Sequence, residues 1–378
     1  MRKILLLGLL MFVVYISWPS ISERIDEKAE GTSFEQLKSD LLAFKDDTDF
    51  NSVIQSISSG VNQLVMDAEN WIKGIPSEQN EVETVEKPEL TTPDEQSFSI
   101  LNVEIGDDRS KVEQSLGQPQ RTTQNEYGTE WYTYHENYHN FIMVAYDDNE
   151  RVNGLYTNQD LISSSNGIEY GLSKGSVDEV LGKPLSSIRK GLTHYQFAEN
   201  SDYDVFELDG SYVTLFYDVH TENTVTSMQI ISEGMEQNKS GFYGNPNKQL
   251  KEGFEYQLFD LTNADRVNHQ IPTLTWDDTV RETARDHSAD MAENNYFNHN
   301  NLKGETPFDR MKADDIFFRV AGENLAYGQF SSIFAHEGLM NSEGHRKNIL
   351  KQDYQLLGVG VAFNADGQPY FTENFYTK

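Results

Sequence analysis

The strongest constraint on the fold is a pattern that occurs twice. Gly106-x5-Val112-x3-Leu116-Gly117-x-Pro119 returns 65 residues later as Gly171-x5-Val177-x3-Leu181-Gly182-x-Pro184, with identical spacing. Val and Leu four apart share one face of a helix, a glycine stops that helix, and the proline prevents its continuation. Runs rich in β-branched and aromatic residues follow each copy, at 131–134, 140–146 and 152–156 in the first and at 195–197, 212–217 and 225–231 in the second. Each copy is therefore expected to form a short helix and a small antiparallel sheet, making residues 97–240 a two-repeat α+β domain. His135 and His139 sit in a Tyr-rich stretch without a carboxylate pattern and read as packing or surface residues. Tyr127, Trp131, Tyr132, Tyr134 and Tyr138 read as lining a sheet core, with a binding face as the alternative.

What precedes this domain looks exported. Arg2 and Lys3 stand before an apolar run, 4–18, closed by Pro19. A secretory core is typically ~7–15 residues and a spanning helix needs ~20, so residues 1–22 read as a signal peptide or a membrane anchor, the uncleaved anchor being preferred. The chain has no cysteine, which excludes disulfides, thiolate metal sites and cysteine nucleophiles. Its net charge of −31 repels nucleic acid and anionic lipid surfaces. Residues 23–96 read as a helical stem and acidic linker. Phe34, Leu37, Leu41 and Phe44 share one helical face, and Ile54, Ile57, Val61, Leu64, Ala68 and Trp71 another, so a dimer through the stem is one expectation. Residues 77–96, rich in acids and carrying Pro88 and Pro93, read as a solvated linker.

The last 129 positions, 250–378, read as a layered domain. Phe254, Leu258 and Leu261 mark one helix, and Val280, Ala284, His287 and Met291 a second with Asp277 as its N-cap. Phe308, Met311 and Ala313 mark a third and 333–340 a fourth. Runs at 357–363 and 370–376 form a hairpin turned at 364–367. The polar patterns here are Asn295-Tyr-Phe-Asn-His299, Gly322-Glu-Asn324, Ala335-His-Glu337, Gly344-His-Arg-Lys-Asn348 and Thr372-Glu-Asn-Phe375. In a cysteine-free chain a metal must use His, Asp or Glu, and neutral imidazole suits Zn²⁺. His336-Glu337 begins a zinc-protease helix, but the second histidine position is Met340, so that motif fails. Ser342 near His345 lacks a nucleophile elbow.

Taken in order, these patterns, with Leu274-Thr-Trp276, Ala284-x2-His287-Ser-x-Asp-Met291, Gly304-x-Thr-Pro-Phe-Asp-Arg310 and Gly358-Val-Gly-Val361, resemble the CAP superfamily of cysteine-rich secretory and pathogenesis-related proteins, in its bacterial form. The repeats at 97–235 resemble the CAP-associated N-terminal domain of Firmicute proteins. The resemblance implies an α-β-α sandwich over about 255–378 and a cleft lined by two His and two Glu. Carried over, these are His299, His345 and Glu323. The fourth position departs from the family pattern: Leu339 stands where the family has Trp and Ser342 follows, leaving Glu337 and Glu343 as the nearby acids. The resemblance implies an extracellular, anchored or secreted protein that binds a cell-wall, lipid or protein ligand in this cleft, with His299 and His345 as candidate Zn²⁺ ligands. One alternative is a metal-assisted hydrolase using His299, His345 and Glu323, the last as general base. The other is a purely structural surface scaffold.

Overall fold

The computed structural model describes residues 85–197, 201–239 and 241–378; the expected export segment and stem helices lie outside them. The repeated pattern forms α1 (Arg109–Leu116) and α2 (Lys174–Leu181). Each ends at a glycine in a left-handed conformation, Gly117 and Gly182, whose N–H reaches back 3.0 Å to Glu113 or Asp178. Val112 and Val177 point inward and are buried.

The strands of this half are β1 (Phe98–Ile100), β2 (Arg121–Gln124), β3 (Glu130–Glu136), β4 (His139–Tyr146), β5 (Val152–Thr157), β6 (Ile162–Ser164), β7 (Ser187–Lys190), β8 (Thr193–Gln196), β9 (Tyr203–Leu208), β10 (Ser211–Asp218) and β11 (Thr224–Ser232). The two copies do not keep separate sheets. β5 and β11, the last strand of each, pair antiparallel, with Leu155 opposite Ile230. One seven-stranded sheet results, in the order β2-β3-β4-β5-β11-β10-β9, while β1 pairs β6 and β7 pairs β8. Pairing the two last strands removes the edge that each small sheet would expose.

Both faces of this sheet are covered. Ile142 and Val144 of β4 join the cluster beneath α1 and α2, whereas Phe141, Met143 and Ala145 face the opposite way. Trp131 and Tyr134 are buried, so the aromatic run builds core rather than an open face. Residues 85–96 also differ from a solvated linker. Lys87 pairs with Asp160 at 2.6 Å, Leu90 packs on the core, and Glu104 accepts the backbone N–H groups of Asp94, Glu95 and Gln96.

The remaining elements are α3 (Glu233–Asn238), α4 (Lys248–Asn268), β12 (Thr275–Trp276), α5 (Asp278–Asn294), α6 (Pro307–Ala313), β13 (Val320–Tyr327), α7 (Ser332–Asn341), α8 (Glu343–Ile349), β14 (Leu356–Phe363) and β15 (Pro369–Thr377). Their sheet runs β12-β14-β15-β13, with β12 parallel to β14 and the others antiparallel. α5 covers one face, where the Ser288 hydroxyl donates to Gly360 O at 2.9 Å. α4, α7 and α8 cover the other through Phe254, Leu258, Leu339 and Ile349. This is an α-β-α sandwich.

α4 is shared between the two halves, which lie in one compact unit, Glu81–Lys378. It is buried along most of its length, and its buried polar side chains have partners. Asp260 takes Arg121 of β2 at 2.8 Å and Glu255 takes Arg285 of α5 at 2.5 Å. The buried Arg266 guanidinium donates to the carbonyls of Pro272, Ile349, Lys351 and Tyr354.

Beside α4, Asp265 Oδ2 lies 2.7 Å from His336 Nε2, and the Tyr156 hydroxyl donates to Glu337 Oε1 at 2.6 Å. Burial pushes Glu337 up to about 7, countered by the neighbouring His336 and reinforced by Asp265. A raised carboxylate contributes stability that is present below its unfolded pKa, near 4.5, and is lost as pH rises through about 7. Glu337→Gln, which keeps the acceptor for Tyr156 but cannot ionise, is expected to match the parent at pH 4. At pH 8.5 it is expected to be more stable by about 1–3 kcal/mol. Urea unfolding at both pH values checks this, and a variant weaker than the parent at pH 8.5 contradicts it.

Candidate functional site

Strand β13 organises the cleft because alternate residues leave it on opposite faces. It is an edge strand paired only to β15, with Glu323 opposite Asn374 and Asn324 opposite Glu373. Glu323 turns to one face and Asn324 to the other. The Glu323 side chain is 1% exposed, yet both its oxygens are engaged. Oε1 lies 2.8 Å from His299 Nδ1, and Oε2 accepts from Arg310 Nη2 at 2.5 Å. An Nδ1–H donor fixes the His299 tautomer and leaves Nε2 as the free polar atom of a ring that is 51% exposed.

The loop carrying His299 is tied at both ends. The C-cap of α5, Asn295, takes the left-handed conformation that turns the chain. His287 Nε2 holds Asn298 O at 3.0 Å, and Arg310 Nη1 holds His299 O at 2.7 Å and Glu305 O at 3.2 Å. Arg310 is placed by a reciprocal cap at the start of α6, where Thr306 and Asp309 satisfy each other's backbone. Burial lowers the His287 pKa, so this imidazole is held neutral as a brace.

On the other face, α8 brings in His345. Asn324 Nδ2 donates to His345 O at 3.2 Å and to Glu373 Oε2 at 3.0 Å. Asn348 Nδ2 donates to Glu323 O at 3.2 Å and Asn324 Oδ1 at 2.9 Å. The His345 pKa is lowered by partial burial and then by the charge of His299. Phe297 of the same loop meets Tyr327 at a tilt, with ring centroids 4.8 Å apart and each residue 45% exposed.

Residues 259–375 match the cysteine-rich secretory protein family, and residues 105–242 match the CAP-associated N-terminal family. An uncharacterized membrane protein of Bacillus subtilis (strain 168), YlbC, is 30% identical over 293 residues, covering 72% of this chain and 82% of that protein. The chain belongs to the CAP superfamily. A second relative in the same organism, the uncharacterized protein YkwD, is 42% identical over 125 residues, which is 33% of this chain and 48% of YkwD. A crystal structure of an extracellular protein containing an SCP domain from Bacillus anthracis superposes with a TM-score of 0.64 at 26% identity, covering 78% of this chain and all of that one. A cysteine-rich secretory protein from Staphylococcus aureus superposes at 0.59 with 14% identity, covering 76% and 98%, and shares the fold.

Within this CAP chain the structure joins His299 to Glu323 and holds His345 on α8 through Asn324, but it does not bring in the other two acids. Glu337 points from α7 into the junction with the repeat sheet, because α7 packs between α4 and β10, and its partner is Tyr156. Glu343 opens the first turn of α8 in solvent, paired to Lys347 at 2.6 Å with both side chains over 70% exposed. Arg310 carried no role in the sequence reading. The Thr306-x-x-Asp309 spacing, a capping box, was the available signal that a helix starts there and projects the next residue.

Zinc fits this arrangement poorly. Among the described residues no group of three His, Asp or Glu converges to hold a metal ion. Glu323 spends both oxygens on His299 and Arg310, so only the two imidazoles remain as donors, fewer than the three protein ligands of a typical catalytic zinc site. Among the described residues no helix is long and apolar enough to cross a membrane.

Proposed function

We propose that this chain is a cell-surface CAP protein, exported on its N-terminal segment, that binds a cell-wall or protein ligand in the His299–Glu323–His345 cleft without turning it over. The relatives named a membrane protein and an extracellular protein support the location. The observation that carries the binding reading is the engagement of Glu323. A general base must present a free carboxylate oxygen to water or substrate. Here the carboxylate is 1% exposed, with one oxygen held by His299 and the other by Arg310, so its burial keeps it from water. What the cleft offers a ligand is His299 Nε2, the half-buried His345 and the exposed Phe297–Tyr327 pair, a polar floor with an aromatic wall. The net charge of −31 disfavours anionic lipid and favours a neutral or cationic partner.

The test is co-sedimentation of the full chain with purified Gram-positive cell walls stripped of their anionic phosphate polymers, with phosphatidylcholine vesicles as the comparison. Saturable binding to walls, weakened at least about tenfold by His299→Ala with His345→Ala, is the expected result; tenfold corresponds to about 1.4 kcal/mol, one well-made polar contact. Release of soluble wall fragments that disappears in Glu323→Gln would establish hydrolysis instead. Zinc calorimetry on the same proteins is expected to give no one-to-one isotherm above that of the double variant.

A further inference from the structure

His345 belongs to the cleft, but the helix that carries it is gripped from behind by the repeat domain. The grip falls on Asn341, the last residue of α7, just before α8 begins. Its Oδ1 accepts the Val219 N–H at 3.0 Å, and its Nδ2 donates to Tyr217 O at 2.9 Å and Asp202 Oδ2 at 2.7 Å. Its carbonyl lies 3.2 Å from His220 Nε2. These partners are the end of β10, the turn that follows it and, in Asp202, the residue that leads into β9. One residue past His345, Arg346 pairs with Asp218 Oδ2 at 3.0 Å, with side chains only 16% and 9% exposed.

α8 has seven residues, too few to hold its own position by helical cohesion. It is fixed by what touches it. On the cleft side these contacts are Asn324 to His345 O and Asn348 to Glu323 O. On the far side they are Asn341 and Arg346 on the repeat domain, while the C-terminal end of the helix is anchored by Ile349, which is buried in the core and accepts from Arg266. Residue 345 therefore sits between two clamps, one of which is built by a different half of the chain.

We propose that the repeat domain is a positioning element of the cleft: through Asn341 and Arg346, its β10 end sets where His345 stands against His299. Asp202, Asp218 and Asn341 are then positioning residues that touch no ligand. A partner that displaced the 218–222 turn would release His345, which gives the repeat domain a means of controlling the site. The functional consequence rests on the binding reading above; the positional claim rests on these contacts alone.

The experiment follows the imidazole directly. The full chain, labelled with ¹³C in its histidines, is titrated by NMR in the parent, in Asp218→Asn, in Asn341→Ala, and in Lys347→Ala, which alters the exposed face of α8. In the parent, His345 titrates below the ordinary histidine value because of burial and the nearby His299. Releasing α8 hydrates the ring and separates it from His299, so its pKa is expected to rise toward the ordinary histidine value in the first two variants. His287, held by Asn298 under α5, and the Lys347→Ala protein are expected to stay as in the parent. Removing the negative charge of Asp218 by itself would lower a nearby imidazole pKa, so a rise reports movement rather than lost charge. A His345 titration unchanged in both Asp218→Asn and Asn341→Ala, with the other histidines unmoved, overturns the proposal. If Asn341→Ala fails to fold, the near-isosteric Asp218→Asn decides alone. No ligand enters the measurement, so its outcome is independent of the cell-wall assay.

Discussion

Arg310→Ala is expected to destabilise the folded chain by about 3–5 kcal/mol, the range for stripping one partner from a buried ion pair. The cost arises in two places. Glu323 keeps a carboxylate that is 1% exposed, now with only His299 for company, although Arg310 Nη2 had stood 2.5 Å away. The loop of residues 295–306 also loses the donor that held His299 O and Glu305 O. Arg310→Lys is expected to recover only part of the loss. A single ammonium lacks the planar fork that reaches a carboxylate and two carbonyls together. Urea unfolding at neutral pH checks both variants. An Arg310→Ala protein within about 1 kcal/mol of the parent would mean that Glu323 finds water or another donor, and the orienting role given to it here would fall with that result.

How far the sequence announces this arrangement differs by element. α1 and α2 are legible because a glycine and a proline at fixed spacing leave few conformations open, and the β14–β15 hairpin because its apolar runs flank a turn. β13 and α8 are not, and they are the elements that build the cleft. In β13 the residues at 323 and 324 are both polar and both buried, satisfied by Arg310 on one face and Glu373 on the other. That hides the period-two pattern by which a strand is recognised. α8 is short and polar, and its place is fixed by Asn341 and Arg346 against a surface more than 120 residues earlier in the chain. The direction of Glu337 has the same origin. Nothing local tells it from a cleft acid; its partner, Tyr156, is 181 residues away in sequence. The joining of the two repeats is long-range for the same reason, since strand alternation fixes which residues are buried but not which sheet edge they meet.

The second large effect is expected at Gly360, where the two glycines of the Gly358-Val-Gly-Val361 pattern let α5 lie directly on β14. A Cβ added at Gly360 would stand 2.1 Å from Arg285 N and 2.2 Å from Ala284 C, both backbone atoms of α5; at Gly358 the nearest is Arg281 N at 2.3 Å. Backbone has no rotamer to change, so Gly360→Ala must push the helix off the sheet by more than an ångström or bend the strand. Overpacking of this kind costs about 3 kcal/mol, and here the helix would also stretch the Ser288–Gly360 hydrogen bond. A Tm lower by about 4–5 °C follows for a chain of this size. Gly338 on α7 is the control: its nearest atom is the end of the Gln329 side chain at 4.0 Å. Gly338→Ala is therefore expected to be neutral or to stabilise by about 0.4–1 kcal/mol, by restricting the unfolded chain. Because α5 also carries His287 and runs into the loop that bears His299, the Gly360→Ala displacement has a second readout. The His299 and His287 resonances are expected to move, while those of His135, which stacks on Tyr138 in the repeat domain, stay in place. A Gly360→Ala protein as stable as the parent would mean that α5 does not rest on β14 at this separation. The positions of His287 and the His299 loop, both inherited from that helix, would then have to be redrawn.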